Sequence, residues 1–390
     1  MMVASTRARI TIAVCCLFLL VPIFGIPLQD QPTLEQLHYH TLSKWPDSRS
    51  LFVSPVQYFG QARSWLADRA YPIIAISMLS NKVLYYVFRT SPQPRITLGK
   101  DGFLFVNGHS DDTVNESFDN LCIKAHTAEA SRHLQDSFAM LAKFARESGI
   151  AVDVVIVPTT PTLYGDYLPP SVPLKYLSEC RQRATGDSPL LRIPKQAGMN
   201  FVYPFLQMRA ARNDEAFYPR GNFHASGMSL KVVRDTYLSV LGVQEPVDDQ
   251  LVRATAPAEI LVGYGIIAQF PTYFVRNEHV KRDPDRQAVL VKEVADLYPH
   301  PSFAANYYVN SKPVIPESAL MVSDSFGDRA SEVFAGAFKS TFQVAGSFPE
   351  ARFRELIDRV SRLEGTSRVI LLVQEAGVEQ VVTWANALGQ

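Results

Sequence analysis

The sequence predicts an α/β fold in which a mainly parallel sheet is covered by helices on both faces. From about residue 96 onward, short apolar runs of strand length alternate with amphipathic stretches of helix length, and this alternation is typical of parallel sheets. The runs are bounded by Gly, Pro and Asp residues, which commonly end strands and helices. A chain of 390 residues, 47% of them hydrophobic, is long enough for one large domain with an accessory region, or for two modest domains.

The first predicted element of the main domain is a β-hairpin over residues 96–106. A β-rich run is interrupted there by Asp101-Gly102 and then resumes, and Asp-Gly favours the tight turns of hairpins. The period of the apolar residues and the turn residues between the runs predict the elements that follow. In chain order they are a helix over 127–148, a strand over 152–157, a helix over 226–241, a strand over 319–322, a helix over 327–338, a strand over 342–344, a helix over 352–363 and a strand over 369–373.

The N-terminal region predicts export. Arg7 and Arg9 precede an uncharged apolar run over residues 10–26, a pattern typical of a signal peptide or a membrane anchor. The run is short for a spanning helix and no clean small-residue cleavage site follows it, so a cleaved signal and a retained anchor both remain open. The predicted organisation is a signal peptide or signal anchor over 1–27, a linker and helical lead-in over 28–94, and the main domain over 95–390.

The charges and cysteines limit the partners and the compartment. Lys plus Arg and Asp plus Glu both total 38, and no basic stripe with interleaved aromatics is present, which argues against nucleic-acid binding. Cys15 and Cys16 lie inside the N-terminal apolar run, which leaves Cys122 and Cys180 in the exported part. In an oxidising compartment these two can form a disulfide; the alternative is a pair of buried thiols. Their spacing does not suggest a metal site, and neither a metal nor a cofactor is predicted.

Two segments about a hundred residues apart, 221–224 and 323–327, predict an esterase-like serine site. The segment 323–327 follows an apolar strand, which places Ser325 at a strand-to-helix turn. A serine hydroxyl needs a base to take its proton at neutral pH, and His224 is the best candidate for that base. Asn222 precedes the histidine by two residues, so in an extended segment it projects to the same side and can orient the imidazole. Backbone amides at the helix start can form part of an oxyanion hole, and the neighbours of such a hole are Ser323, Asp324, Phe326 and Gly327.

A purely structural interpretation of these segments is the alternative. Ser and Asp are favoured at helix N-termini for local hydrogen bonding, so residues 323–325 can simply cap a helix. A histidine such as His224, which follows an aromatic residue in a segment rich in Tyr, Pro and Gly, is more often structural than catalytic. The two segments gain meaning only if the fold brings them together.

The sequence resembles the alginate O-acetyltransferase group of the AlgJ/AlgX type. Four stretches, in the family's order, carry the resemblance over roughly residues 50–375. They are 99–105, which resembles the family's G-K/R-D-G-W-L-F block; 156–169, which resembles its v-P-x-K-x-x-x-Y-x-x-Y-L-P strand and loop; 218–224, at the position of its D-x-H-W segment; and 322–326, at the position of its G-D/T-S nucleophile turn.

The resemblance implies an SGNH-hydrolase-like α/β/α sandwich and transfer of acetyl groups onto hydroxyls of an exported polysaccharide in the periplasm. A membrane-bound O-acyltransferase is the partner that the family uses to supply acetyl groups. By position, Ser325 is then the nucleophile, His224 is the general base and then acid, and Asn222 occupies the place of the family's Asp. Ser323 stands where Gly is usual, and Ala225 stands where Trp is usual. Aromatic residues stack on sugar rings, and the candidates for such contacts are Tyr164, Tyr167, Tyr218 and Phe223.

Asn222 leaves three functions open. Its amide oxygen can accept a hydrogen bond from the imidazole, but it carries no charge, and the corresponding Asp-to-Asn change in a serine protease triad costs about 10⁴ in kcat. Asp324 or Asp328 can supply the missing carboxylate. The alternatives to an O-acetyltransferase are a carbohydrate acetylesterase, which uses water as the acceptor, and a catalytically impaired scaffold or polysaccharide-binding subunit of an acetylation complex.

Overall fold

A computed structural model describes residues 43–69, 71–108, 113–262, 264–299, 303–347 and 349–389. The predicted export segment over 10–26 and the predicted boundary at residue 27 lie outside these residues. Within the described ranges, no helix is both long enough and apolar enough to span a bilayer. The chain divides into two compact units: residues up to 93 together with 259–268 belong to the first, and 94–258 together with 269 onward belong to the second.

The second unit is built on a mainly parallel sheet. In the described part of the chain the strands are β1 (Ile96–Leu98), β2 (Leu104–Val106), β3 (Ala151–Val157), β4 (Asn200–Val202), β5 (Gln250–Pro257), β6 (Gln269–Arg276), β7 (Val280–Arg282), β8 (Ala305–Asn310), β9 (Ile315–Ser323), β10 (Phe338–Ala345) and β11 (Arg368–Gln374). Seven of them form the central sheet in the order β4-β3-β11-β9-β10-β8-β7. The five strands from β4 to β10 are parallel to their neighbours, whereas β8 is antiparallel to β10 and to β7. Two separate hairpins pair β1 with β2 and β5 with β6.

Helices cover both faces of this sheet. The α-helices of the described residues are α1 (Ser50–Val53), α2 (Pro55–Arg69), α3 (Tyr71–Lys82), α4 (Glu116–Phe118), α5 (Ala128–Ser148), α6 (Thr160–Leu163), α7 (Leu174–Ala184), α8 (Phe205–Ala211), α9 (Met228–Val240), α10 (Glu259–Val262), α11 (Pro284–Val294), α12 (Ser325–Ala335), α13 (Phe353–Glu364) and α14 (Val378–Gly389). Helices α5, α14, α13 and α11 contact one another in one layer, and α8, α9 and α12 do so in another. The structure therefore confirms the predicted α/β/α sandwich.

Local sequence explains where these elements begin and end. Thr127 caps α5 by accepting a hydrogen bond from the amide of Ala130 at 3.0 Å, and Gly149 ends the helix in the left-handed region at φ 71°, a conformation that favours glycine. The next strand, β3, is buried along nearly its whole length, as expected for a strand covered on both faces. Its apolar composition therefore reflects its interior position in the sheet.

The structure confirms the predicted N-terminal hairpin and corrects one helix. Residues 96 and 106 pair as the outer ends of β1 and β2, and Asp101 and Gly102 between them have positive φ, as the tight turn requires. The predicted helix over 327–338 is shifted, because it begins at Ser325 and ends at Ala335. Phe338 instead opens the buried strand β10. The exposed hairpin of β5 and β6 was not predicted.

The first unit consists of helices around a short loop. Helix α3 continues through a π-helical turn over Val83–Val87. The side chain of Asn81 donates a hydrogen bond to the carbonyl oxygen of Tyr264 at 3.3 Å, and the hydroxyl of Tyr86 donates to that of Ile267 at 3.2 Å. One side of this helix is therefore fixed against the 259–268 segment, which consists of α10 and the turn after it.

Candidate active site

The fold brings the two predicted halves of the serine site together. The Nε2 atom of His224 lies 2.8 Å from the Oγ atom of Ser325, although the residues are 101 positions apart in sequence. The two atoms are within hydrogen-bonding distance, as a base must be to take the hydroxyl proton. Ser325 is exposed and His224 is partly exposed, so a substrate can reach both groups.

Ser325 owes its position to the end of β9. The strand ends at Ser323, and Asp324 caps the helix that begins at Ser325. The serine thus lies at the carboxyl edge of the sheet, where ligands bind in open α/β folds. It is also the first residue of α12, at the partially positive end of the helix dipole.

The loop that carries His224 is held by close packing. A Cβ atom on Gly227 would lie 1.7 Å from the carbonyl oxygen of Tyr273, and the φ angle of 52° at this position also favours glycine. The hydroxyl of Tyr218 donates a hydrogen bond to the carbonyl oxygen of Phe223 at 2.8 Å. Neighbouring contacts on both sides therefore determine where the imidazole lies.

Aromatic rings define one wall of the site. The ring centroid of Phe326 lies 4.9 Å from that of the His224 imidazole and 5.6 Å from that of Phe223. Phe326 is buried, whereas Phe223 is partly exposed. The imidazole therefore packs on a buried apolar ring next to the entrance.

Asp324 supplies a carboxylate beside the two reacting groups. Its Oδ1 accepts a hydrogen bond from the amide of Phe326 at 2.9 Å, and its Oδ2 accepts one from the amide of Gln374 at 2.8 Å. Burial raises the pKa of Asp324 to about 6, although these two hydrogen bonds and the nearby His224 act to lower it. The carboxylate is thus electrostatically coupled to the imidazole and links the end of β11 to the start of α12.

The first turn of α12 offers one backbone donor beside the hydroxyl. The first amides of a helix have no intrahelical acceptor; here that of Phe326 binds the Asp324 side chain, and that of Gly327 donates to the Asp324 carbonyl oxygen at 3.1 Å. The amide of Ser325 is left as the first-turn donor nearest the nucleophile. Ser323 is fully buried, and the carboxylate oxygens of Asp324 accept from the amides of Phe326 and Gln374. Their predicted place at or beside an oxyanion hole stays a prediction.

Ser323 instead lies behind the turn. Its Oγ accepts a hydrogen bond from Nε2 of Gln343 at 3.2 Å. A Cβ atom on Gly327 would lie 1.8 Å from that Oγ and 2.2 Å from the Cβ of Ser323. The buried serine therefore occupies space that only a glycine on the facing turn of α12 leaves free.

Asn222 and Asp328 take different places around the site. Asn222 is buried, and its backbone N–H donates to the carbonyl oxygen of Pro219 at 3.0 Å. The predicted role of its side chain in orienting the imidazole stays a prediction. Asp328 is exposed, and its Oδ1 accepts a hydrogen bond from Nδ2 of Asn306 at 2.7 Å. The nearby His224 acts to lower the pKa of Asp324, the carboxylate that directly precedes the nucleophile in sequence.

Two of the predicted sugar-contacting aromatics are buried. Tyr164 lies 2% exposed under the ring of Phe103, at 4.5 Å between centroids, and Tyr218 is 1% exposed. Both rings fill the core in this structure, and their predicted contacts with a sugar stay a prediction. Tyr167 packs on Phe103 at 4.7 Å and is partly exposed. Phe223 is the candidate that lies next to the imidazole.

A second buried polar cluster lies at the same edge of the sheet. Glu375, directly after β11, is fully buried, and its Oε2 accepts hydrogen bonds from the amide of Thr159 at 3.0 Å and from the hydroxyls of Thr159 and Thr162 at 2.6 and 2.8 Å. Its Oε1 accepts one from the hydroxyl of Tyr203 at 2.6 Å, and Nε2 of His126 lies 3.5 Å away. These bonds hold the loop after β3 against the end of β11.

Sequence reasoning missed Gln374, Gln343 and Glu375. Each lies in or directly after an apolar strand, which is the signal that marks the site edge of a parallel sheet. The strand order was needed to see that β10 and β11 flank β9.

Cys122 and Cys180 form the predicted disulfide, which joins positions 58 residues apart. Within the ranges that the structure describes, no group of three or more His, Cys, Asp or Glu side chains converges in a way that would hold a metal ion.

Comparison with known proteins finds similarity in structure but not in sequence. The chain matches no family model and no curated protein. Solved structures similar to it include the O-acetyltransferase domain of Pseudomonas putida AlgJ, with 12% identity and a TM-score of 0.43 over 75% of this chain and 99% of that one. Pseudomonas aeruginosa AlgX has 14% identity and a TM-score of 0.45 over 75% and 67%, and Bacillus cereus PatB1 with a sulfonyl adduct has 13% and 0.46 over 73% and 97%. At these identities, the roles of individual residues follow from this chain's own geometry.

Proposed function

We propose that this chain is an exported O-acetyltransferase that moves acetyl groups onto hydroxyls of a polysaccharide through an acetyl-serine intermediate. The observation that carries the proposal is the 2.8 Å contact between His224 Nε2 and an exposed Ser325 Oγ at a helix N-terminus. A serine–histidine pair with a purely structural role could be buried, whereas a catalytic pair must be accessible to its substrate. The choice of an acetyl group as the group transferred, and of a sugar hydroxyl as its acceptor, rests on the resemblance of the four sequence stretches to the AlgJ/AlgX-type family.

The first half-reaction forms the intermediate. The His224 imidazole takes the hydroxyl proton while Ser325 Oγ attacks the acetyl carbonyl of the donor ester. The negative charge that develops on the carbonyl oxygen is stabilised by the Ser325 amide and the positive end of α12. When the tetrahedral species collapses, the ester bond to the donor breaks, and the leaving oxygen takes the proton from the imidazolium.

The second half-reaction transfers the acetyl group. A sugar hydroxyl gives its proton to His224 and attacks the acetyl-serine carbonyl, and collapse forms the sugar ester while Ser325 Oγ recovers a proton from the imidazolium. Asp324 lies close enough to His224 for the two charges to interact, so it stabilises the imidazolium where Asn222 supplies no charge.

The proposed setting is the periplasm. The apolar run over 10–26 supports export, and the disulfide of Cys122 and Cys180 fits an oxidising compartment. In this proposal the catalytic domain spans 95–390, the lead-in spans 28–94, and a membrane-bound O-acyltransferase supplies the acetyl groups.

A transfer assay tests the proposal. The full chain is incubated with a chromogenic acetyl ester and an unacetylated oligosaccharide, and both free acetate and acetylated sugar are measured. We expect acetylated sugar from the wild type and from Ser178→Ala, an exposed serine change on α7, and none from Ser325→Ala or His224→Ala. Acetate alone would replace the transferase with an esterase, and no turnover by a folded wild type would favour the scaffold.

A further inference from the structure

The first unit carries an exposed apolar stripe along one side of α3 and its π-helical turn. Ile76, Leu79, Val83 and Val87 are 60, 62, 38 and 68% exposed, and their spacing of three and four residues places them on one face. An adjacent aromatic, Phe88, is also exposed. Contiguous exposed apolar surface of this kind marks an interaction site.

The opposite face of the same helix is fixed within the unit. Asn81 is buried and binds the carbonyl oxygen of Tyr264, Tyr85 is buried, and Gly265 lies so close to Met78 that a Cβ atom on it would be 2.3 Å from the Met78 Cε. The stripe is therefore not the face that packs against the 259–268 segment, because that segment contacts the other side of the helix.

The charge of this region indicates the chemistry of its partner. Residues 43–93 contain six basic and two acidic residues, in a chain whose formal net charge is zero. Lys82 and Arg89 are both exposed, and in sequence Lys82 directly precedes Val83 while Arg89 directly follows Phe88. An apolar helical face bordered by basic residues is the pattern of a helix that lies in the interface of an anionic bilayer.

The apolar run that precedes this unit in sequence also supports a lipid bilayer as its partner. The uncharged apolar run ends at residue 26, only 16 residues before the first described residue. Even a fully extended linker of that length spans about 55 Å at most. A chain anchored by that run would keep the first unit near the bilayer.

We propose that the stripe of Ile76, Leu79, Val83 and Val87 inserts into the surface of an anionic lipid bilayer. The helix lies in the plane of the interface, with its apolar face about 5–10 Å into the headgroup and acyl boundary. Lys82 and Arg89 then contact anionic headgroups. No helix of the described residues spans the membrane, and this proposal requires none to do so.

Site-specific fluorescence tests the proposal on the full chain. An environment-sensitive dye is attached to Leu79→Cys in a background with Cys15 and Cys16 replaced by alanine, and the protein is reconstituted into vesicles of phosphatidylglycerol and phosphatidylethanolamine. The matched aqueous reference is the same dye on Asp136→Cys, an exposed position on α5. We expect a blue shift of the Leu79→Cys dye and its quenching by nitroxide-labelled lipid, with neither effect at the reference.

Vesicles of neutral phosphatidylcholine complete the test. There the blue shift and the lipid quenching at position 79 should both decrease, because the basic residues lose their partners. Emission at position 79 like that of the aqueous reference would overturn the proposal. A blue shift without lipid quenching would also overturn it, because a protein surface would then cover the stripe.

Discussion

Asp324→Asn tests the electrostatics of the site through its effect on stability. Burial raises the pKa of this carboxyl to about 6 from an ordinary 3.8. Between about pH 4 and pH 6 the folded chain therefore holds a proton that the unfolded chain has released. The contribution of Asp324 to stability is thus fully present below the unfolded pKa, and it is lost as the pH rises through 6.

The size of the effect follows from the shift. A difference of about two pKa units corresponds to about 3 kcal/mol at 1.36 kcal/mol per unit. The asparagine variant cannot release this proton, and its Oδ1 can still accept from the Phe326 amide. The unfolded carboxyl is already more than half ionised at pH 4, so part of this difference lies below that pH. The free energy of unfolding of the wild type minus that of the variant should therefore fall by about 2 kcal/mol between pH 4 and pH 7.

Urea unfolding at pH 4, 5, 6 and 7, followed by tryptophan fluorescence, measures this difference. Asp136→Asn, on the exposed face of α5, is the matched control and should run parallel to the wild type. If Asp324→Asn also runs parallel to the wild type, the carboxylate is not desolvated and the electrostatic account of the site is wrong.

Three further predictions concern the neighbours of the site and the disulfide. Asn222→Asp should raise the rate of acetyl ester hydrolysis by about tenfold or more, because a charged partner stabilises the imidazolium; an unchanged or lower kcat would remove Asn222 from the mechanism. Gly327→Ala should lower the free energy of unfolding by about 1–3 kcal/mol through its clash with the Ser323 side chain, and adding Ser323→Gly should recover most of the loss, whereas additive losses in thermal unfolding would contradict this packing. Replacing Cys122 and Cys180 by serine should cost about 2–4 kcal/mol in urea unfolding, and a loss below about 0.5 kcal/mol would show that the bridge contributes little.

The pattern of strands and helices was predictable because residues close in sequence determine where each element begins and ends. Thr127 and Gly149 mark the two ends of α5, and Asp101-Gly102 marks the first hairpin. The error at α12 also has a local cause, since Asp324 uses its own side chain to start the helix two residues earlier than predicted. The exposed strands β5 and β6 do carry apolar residues, among them Val252, Phe274 and Val275. Pro271 interrupts the second run, and a proline inside a run argues against a strand.

The candidate site was predictable only as two halves. Chemistry alone paired a serine at a strand-to-helix turn with a histidine that could serve as its base, but strand order decided which side chains surround them. Gln374 contacts Asp324 because β11 lies beside β9, a pairing across 50 residues that no local pattern encodes. Burial was equally non-local: Tyr164 and Tyr218 are aromatic residues like Phe223, yet tertiary packing puts only the first two in the core.

Labelling of the nucleophile tests the central claim most directly. A sulfonyl fluoride reacts with a serine whose proton is removed by a neighbouring base, and peptide mass spectrometry locates the adduct. We expect an adduct on Ser325 in the wild type and its loss in His224→Ala. An unlabelled Ser325, or one labelled at the same rate without His224, would contradict it.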